Sequence, residues 1–393
     1  MTFFIFLWWF GTPLRATIAA TRQISITKDA MTPLSDLWHI GVDAVGGDTS
    51  VRQSLRTQPI TPPDRIIAVG KAATAMARAA ASLFPDTPVL IVTKDGHADG
   101  APAHARVIEA AHPVPNAASL IAGEALRDTV QGCETDAHLL MLVSGGASAL
   151  AEVLEGDLTL EDLAQRTQAK LASGADIHQI NAMRRGLSRI KGGKLLSAFR
   201  GAKVTTLAIS DVEGDSLGVI GSGIGDAPKN AAFVHDARIV ASNAIARTAI
   251  AQAAGADLRS NAETLYDDVS TLAPRIAAHL KTAASGLHIL GGEPTVILPE
   301  NPGRGGRNMM LALRLAREIA GRDDLRILVA GTDGSDGPTD AAGAVVDGKT
   351  WDASGQDAIE AAAPYDWLAA RDALLKPGPT GTNVMDLLIA HKR

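Results

Sequence analysis

From Arg65 onward, short apolar runs alternate with alanine-rich stretches of helical period, and glycine-bearing loops join them. That alternation constrains the chain more than anything else in it. Repeated strand–loop–helix units bury their strands as a parallel sheet with helices on both faces. The spacing predicts strands over 65–69, 89–93, 138–143 and 203–210. It predicts helices over 71–83, 117–132, 160–173 and 177–197, with Asn116 opening the second of these. A second block begins near Gly286, with strands over 287–290, 295–298 and 325–330 and a helix over 309–320. The boundary is expected between Ala273 and Gly286, with 281–286 as linker. A length of 393 residues suits two domains. In parallel sheets of this kind, ligands sit beyond the carboxyl ends of the strands.

The first ten residues stand apart. They hold six of the 7 Phe, 5 Trp and 2 Tyr in the chain. The run is shorter than the roughly 20 apolar residues that span a bilayer. It also lacks the preceding positive charge of a signal peptide, since Arg15 follows it. An over-extended gene start is the leading reading; a membrane-surface or export segment and a packed arm are the alternatives. Ser35 is expected to cap a helix carrying Leu34, Leu37, Ile40 and Val42 on its apolar face. Residues 1–30 are set aside from the fold, and a chain begun at Met31 is expected to fold and stay active, which solubility and turnover of the truncated protein would check.

A net charge of −6 provides no general attraction for nucleic acid, so an anionic substrate must be held by local bases. The single cysteine, Cys133, excludes an internal disulfide and a cysteine-based zinc site. These features fit a cytoplasmic enzyme.

Four glycine-bearing loops that follow predicted strands carry the chemistry. Gly70-Lys71 puts a lysine where a helix begins, a placement that favours a phosphoryl group. Ser144-Gly145-Gly146-Ala147-Ser148 offers open backbone N–H groups and two hydroxyls. Ser210-Asp211-Val212-Glu213 offers acids that could bind Mg²⁺ or take a proton from a substrate hydroxyl. The loop from Gly331 to Asp340 contains Asp333, Asp336 and Asp340, a dense set of oxygen ligands. Taken alone, the first also reads as a surface lysine at a helix start, and the second and third as ordinary turns. Neither a Walker loop nor the G-x-G-x-x-G dinucleotide fingerprint is present. Bases cluster twice. Arg184, Ser188 and Lys191 would share one helix face, which also reads as a solvated basic surface. Arg304 and Arg307 lie in a glycine-rich loop suited to carboxylate or phosphate.

From about Met31 to the C-terminus the chain resembles class II glycerate 2-kinases, whose smaller C-terminal unit is the MOFRL domain. The resemblance is carried by Gly70-Lys71-Ala72-Ala73, Ser144-Gly145-Gly146, Ile180-Asn181, Arg189-Ile190-Lys191-Gly192-Gly193 and Ser210-Asp211-Val212. It continues through Gly291-Gly292-Glu293, Gly305-Gly306-Arg307-Asn308, the 331–343 loop and Gly378-Pro379-Thr380-Gly381-Thr382-Asn383. It implies an α/β protein of two domains: a larger Rossmann-like α/β/α domain with mostly parallel sheet over 31–280, and a smaller α/β MOFRL domain over 286–391. It further implies ATP-dependent phosphorylation of D-glycerate at the 2-hydroxyl in a cleft between the domains, with Mg²⁺.

Lys71, Asp211 and Arg307 are the catalytic residues carried over, and neither Lys71 nor Arg307 reads as core. Gly70, Ser144, Gly145, Gly146, Ser148, Lys191, Gly291, Gly292, Glu293 and Asn308 are the expected ATP or phosphate contacts, and Asp333 and Asp336 the expected metal ligands. The expected partners are the two small molecules, with no nucleic acid and no stable membrane association; a homodimer stays open. Gly186, Ala147, Pro294 and Gly223-Ile224-Gly225 depart from the family pattern in loops expected to line the cleft. They leave a kinase of a related hydroxy acid as one alternative. An NAD(P)H-dependent hydroxypyruvate reductase is another, which the missing fingerprint disfavours.

Overall fold

The structure, a computed structural model, describes residues 34–173 and 177–393. The aromatic run and Met31 lie outside these residues. Six strands, β1 (Arg65–Val69), β2 (Val89–Lys94), β3 (Arg106–Ala110), β4 (His138–Val143), β5 (Lys203–Ile209) and β6 (Val234–Ala241), form a wholly parallel sheet. Their order is β3-β2-β1-β4-β5-β6. β4 is buried at every residue, so it reads as a continuous apolar run without alternation. β3 and β6 are edge strands with part-exposed, mixed sequences, and that is why periodicity missed them. The order reverses between β1 and β4, which opens a crevice at their carboxyl ends.

A second, mixed sheet contains β7 (Leu258–Glu263), β8 (Gly286–Gly292), β9 (Leu325–Gly331), β10 (Gly343–Asp347), β11 (Leu374–Leu375) and β12 (Asp386–Lys392), in the order β11-β10-β9-β12-β8-β7. β7 and β8 are parallel, and the helix Val269–Thr282 connects them. Parallel neighbours require such a crossover. The second sheet therefore starts upstream of the expected boundary, and 281–286 is the turn from crossover helix to strand. The expected strand at 295–298 is a loop with a single bridge from Thr295 to Asp268.

Between the sheets lie the helices Leu34–Ala44, Gly47–Thr57, Ala73–Leu83 and Asn243–Ala254. Leu37, Trp38, Met76 and Ile250 share one apolar core with Ile66 and Leu140 of the first sheet and Leu287, Leu328 and Leu387 of the second. Separate cores cover the outer faces: Leu126 and Leu150 pack on the first sheet, Ile276 and Leu313 on the second. The two sheets are thus joined through a shared helical layer. Two local expectations change. The first helix begins at Leu34, so Ser35 lies inside it. The basic helix expected at 177–197 stops at Gly186, after which Ser188 bridges Leu154, and helix resumes only at Lys194–Ser197, past the left-handed Gly192 (φ 63°) and Gly193 (φ 79°). Arg184, Ser188 and Lys191 therefore share no helix face. Among the described residues, no helix is long and apolar enough to cross a membrane.

Candidate active site

The loops after β1 and β4 meet at the point where strand order reverses. Gly70 has φ 127°, and a Cβ there would lie 2.2 Å from Ser144 Oγ, so only glycine lets the two loops cross. The Lys71 N–H donates to the Gly145 carbonyl at 2.9 Å, and the Ala72 N–H donates to Ser144 Oγ at 3.0 Å. Lys71 thereby stands just ahead of the helix Ala73–Leu83, where positive helix-end charge adds to its own. Its Nζ lies 3.3 Å from Asp333 Oδ2, on the loop after β9 of the other sheet.

Asp211 follows β5 and turns toward the same point. A Cβ on Gly145 would sit 1.8 Å from its Oδ2, and Asn383 Nδ2 is 3.5 Å from that oxygen. Burial and the nearby Glu293 carboxylate raise the Asp211 pKa to about 6, against the pull of Lys71. Gly145→Ala is expected to push this carboxylate aside. A misplacement on the order of 1 Å can cost about 10²-fold in rate, so kcat should fall by up to that factor while circular dichroism stays native.

The second sheet brings its part by register. Asp386, at the start of β12, pairs with Gly292 at the end of β8 and Gly331 at the end of β9. Only 2% of its side chain is exposed, and it accepts from Arg307 Nε at 2.6 Å and from Nη2 at 3.3 Å. Arg307 Nη1 reaches Glu293 Oε1 at 2.8 Å. Against the cost of burial, Asp386 and Glu293 raise the Arg307 pKa and keep it charged. Lys71, Asp211, Glu293 and Arg307 thus form a continuous electrostatic chain across the two sheets.

Other expected contacts have different work. Asp336, expected as a metal ligand, accepts from the backbone N–H groups of Asn308 and Met309 at 3.2 and 2.8 Å and so caps the helix Arg307–Glu318. Burial raises its pKa to about 7, opposed by those N–H donors. Glu293 anchors Arg307 and presents no positive charge to a phosphate. Lys191 is fully buried in an ion pair with fully buried Glu152, which removes it from the cleft. The hydroxyls of Ser144 and Ser148 accept from Ala72 N–H and Ser222 Oγ. Gly291 gives Asn243 room to pack, since a Cβ would meet its Oδ1 at 1.8 Å. Asn308 is buried beside Asp336, with its Oδ1 unpartnered.

Among the described residues, no cluster of three or more His, Cys, Asp or Glu side chains gathers as a metal site. Ala147, Pro294 and Gly225 are buried, and Gly186 is exposed with nothing within 4 Å of where its Cβ would sit. The departures from the family pattern are therefore mainly packing positions.

Two residues were missed. Asp386 is the lone acid in Val384-Met385-Asp386-Leu387-Leu388, a signal that was available because buried charges are paired. His112 left no such signal. A Cβ on Gly146 would lie 3.2 Å from its ring, and burial, with Lys71 and Lys94 close by, lowers its pKa to about 4. It is neutral at physiological pH. Beside Lys71 opens a cavity of about 450 Å³ lined by Arg78, Lys94, His97, Asp333 and Thr380 among others.

A dinucleotide-type sheet order combined with cations held at the strand ends defines a protein that handles phosphoryl groups. Comparison with known proteins narrows the class. The DUF4147 family, described as a domain of unknown function, matches residues 33–254, and the MOFRL family matches 286–386. D-glycerate 2-kinase of Thermotoga maritima is 34% identical over 88% of this chain and 95% of its own length. Glycerate 2-kinase of Pyrococcus horikoshii is also 34% identical, over 83% of this chain and 86% of its own. The crystal structure of the Thermotoga maritima glycerate kinase superposes with a TM-score of 0.82 at 31% identity, covering 91% of this chain and 98% of that one. The chain belongs to the class II glycerate 2-kinase family of phosphotransferases.

Proposed function

We propose that this protein transfers the γ-phosphoryl group of ATP to the 2-hydroxyl of D-glycerate. The observation that carries the reading is the convergence of Lys71, Asp211 and Arg307 from opposed sheets. Phosphoryl transfer depends mainly on positioning and on stabilising charge spread over the equatorial oxygens. Lys71, at a helix start, neutralises that charge from the first sheet. Arg307, its guanidinium oriented by Asp386 and Glu293, does so from the second. Asp211 takes the proton from the 2-hydroxyl. The chemistry of the family and the identity of its Thermotoga and Pyrococcus members support this substrate choice.

Mg²⁺ commonly binds through one or two protein carboxylates, with water and phosphate oxygens completing its shell. Asp333, part-exposed on the wall of the cavity beside Lys71, meets that limited demand and is the side chain that would hold it. When bound, it would offset charge on the nucleotide phosphates. A small-molecule reaction in a chain with a single cysteine also suits the cytoplasm.

Purified protein incubated with D-glycerate and ATP–Mg²⁺ should release ADP and form 2-phosphoglycerate, read by NMR. NADH oxidation with hydroxypyruvate, without ADP release, would replace this reading with the reductase one.

The base role gives a pH signature. Asp211 works only as the carboxylate, so kcat/KM should rise with pH and level off above an apparent pKa of about 6. Asp211→Asn should lower kcat at every Mg²⁺ concentration and abolish that acidic limb. Full rescue by excess Mg²⁺ would assign Asp211 to metal binding instead.

A further inference from the structure

The turn that leads into β12 is held in a conformation its sequence disfavours. Met385, the residue before Asp386, has φ 65°. Left-handed backbone crowds the Cβ of any residue but glycine, and it persists only where the surroundings fix it. Val384, Met385 and Asp386 are all buried, so their carbonyls must find donors inside the protein.

Two side chains from different elements supply those donors. Asn243, the first residue of the helix Asn243–Ala254, donates from Nδ2 to the Val384 carbonyl at 2.9 Å and to the Asp386 carbonyl at 3.0 Å. Thr332, directly after β9, donates from its hydroxyl to the Met385 carbonyl at 2.7 Å and accepts from the Val384 N–H at 2.8 Å. The amide of Asn243 has one workable orientation. Arg247 Nε donates to its Oδ1 at 2.7 Å, and Arg247 is itself held by Glu263 Oε2 at 2.7 Å and by Asn261. A guanidinium only donates and a carbonyl only accepts, so Nδ2 must face the turn. Directly after Met385 comes the carboxylate that takes Arg307 Nε and Nη2. The backbone at Met385 therefore sets which way Asp386 points.

We propose that Asn243 and Thr332 are positioning residues of the reaction: they hold Met385 in left-handed backbone and so aim the Asp386 carboxylate at Arg307. The proposal rests on Arg307 stabilising the transferring phosphoryl group. It makes the helix Asn243–Ala254, in the layer between the two sheets, a support of the active site.

Asn243→Asp in the full chain tests it, because the carboxylate has the same shape but no N–H for the two carbonyls. An acid at a helix start, beside Arg247, is well placed, so this variant should fold. Its kcat should fall by about 10- to 100-fold, as a misplacement on the order of 1 Å can cause. KM for ATP and for D-glycerate should change by less than about twofold. Added to Arg307→Ala, the same substitution should cost less than about a further twofold, because both act through one contact. Thr332→Val should lower kcat in the same way, and Thr332→Ser, which keeps the hydroxyl, should retain most of it. Heteronuclear NMR of the Arg307 side-chain Nε–H, assigned by its loss in Arg307→Lys, reads the contact without turnover. In Asn243→Asp that signal should shift and exchange faster with water. A wild-type kcat in Asn243→Asp would overturn the proposal, as would an unmoved Arg307 signal or equal fold losses with and without Arg307. Should Asn243→Asp fail to fold, Thr332→Val decides: a loss of kcat that Thr332→Ser restores supports the clamp, and equal kcat in the two overturns it. If the Arg307 signal responds but the wild-type protein forms no 2-phosphoglycerate, the clamp stands and the glycerate reading falls.

Discussion

Lys71→Ala is expected to lower kcat/KM by about 10²–10³-fold, the usual effect of removing one group that stabilises transition-state charge. Its melting temperature should hardly move. The Lys71–Asp333 pair is about one-fifth exposed on each side (21% and 23%), and such partly solvated pairs contribute on the order of 1 kcal/mol or less. The loop itself is held by the backbone of Lys71 and Ala72, which the substitution leaves in place. Steady-state kinetics and thermal denaturation of the same preparation check both halves. A variant that loses melting temperature but keeps turnover would make Lys71 a structural residue.

Arg307→Ala should lose both activity and stability, which departs from its reading in sequence as a non-core position. The rate effect should be comparable to that of Lys71, about 10²–10³-fold. The stability effect comes from Asp386, which is 2% exposed and would be left buried without its partner. Stranding one member of a fully buried pair costs about 3–5 kcal/mol. Arg307 is itself 34% exposed, so solvent reaches the pair and about 2–3 kcal/mol is expected. Arg307→Lys should recover part of the stability but little activity, because an ammonium cannot replace the two-pronged contact to Asp386. Denaturant unfolding of the two variants separates these contributions. An alanine variant as stable as wild type would show that Asp386 finds another partner or takes up a proton.

The helix Arg307–Glu318 shows how placement and chemistry are linked. Asp336 holds its first backbone N–H groups, and Asp386 and Glu293 orient the guanidinium at its first residue. Asp336 and Asp386 are acids from loops or strand ends far along the chain. Asp336, which looked like a metal ligand by the density of acids in its loop, instead caps the helix that begins with Arg307.

Local periodicity determined a good deal. Strands β1, β2, β4, β5 and β9 carry buried, largely apolar runs, so they were legible, and so were the loops at their carboxyl ends. Asn116 was legible as a cap because capping is a contact across three residues, and Lys71 was legible at a helix start for the same local reason. What periodicity could not reach were partners. Lys71 meets Asp333 across 262 residues and Arg307 meets Asp386 across 79, and neither spacing has a pattern. Lys191 was expected to contact phosphate, but Glu152, 39 residues away, is buried against it. Strand β7, polar at an edge, carried too little apolar signal to claim membership of the second sheet. Charge pairing and edge-strand register are settled by which surfaces pack together in three dimensions, on the outer faces of the two sheets as well as between them, and no local spacing in the sequence encodes that.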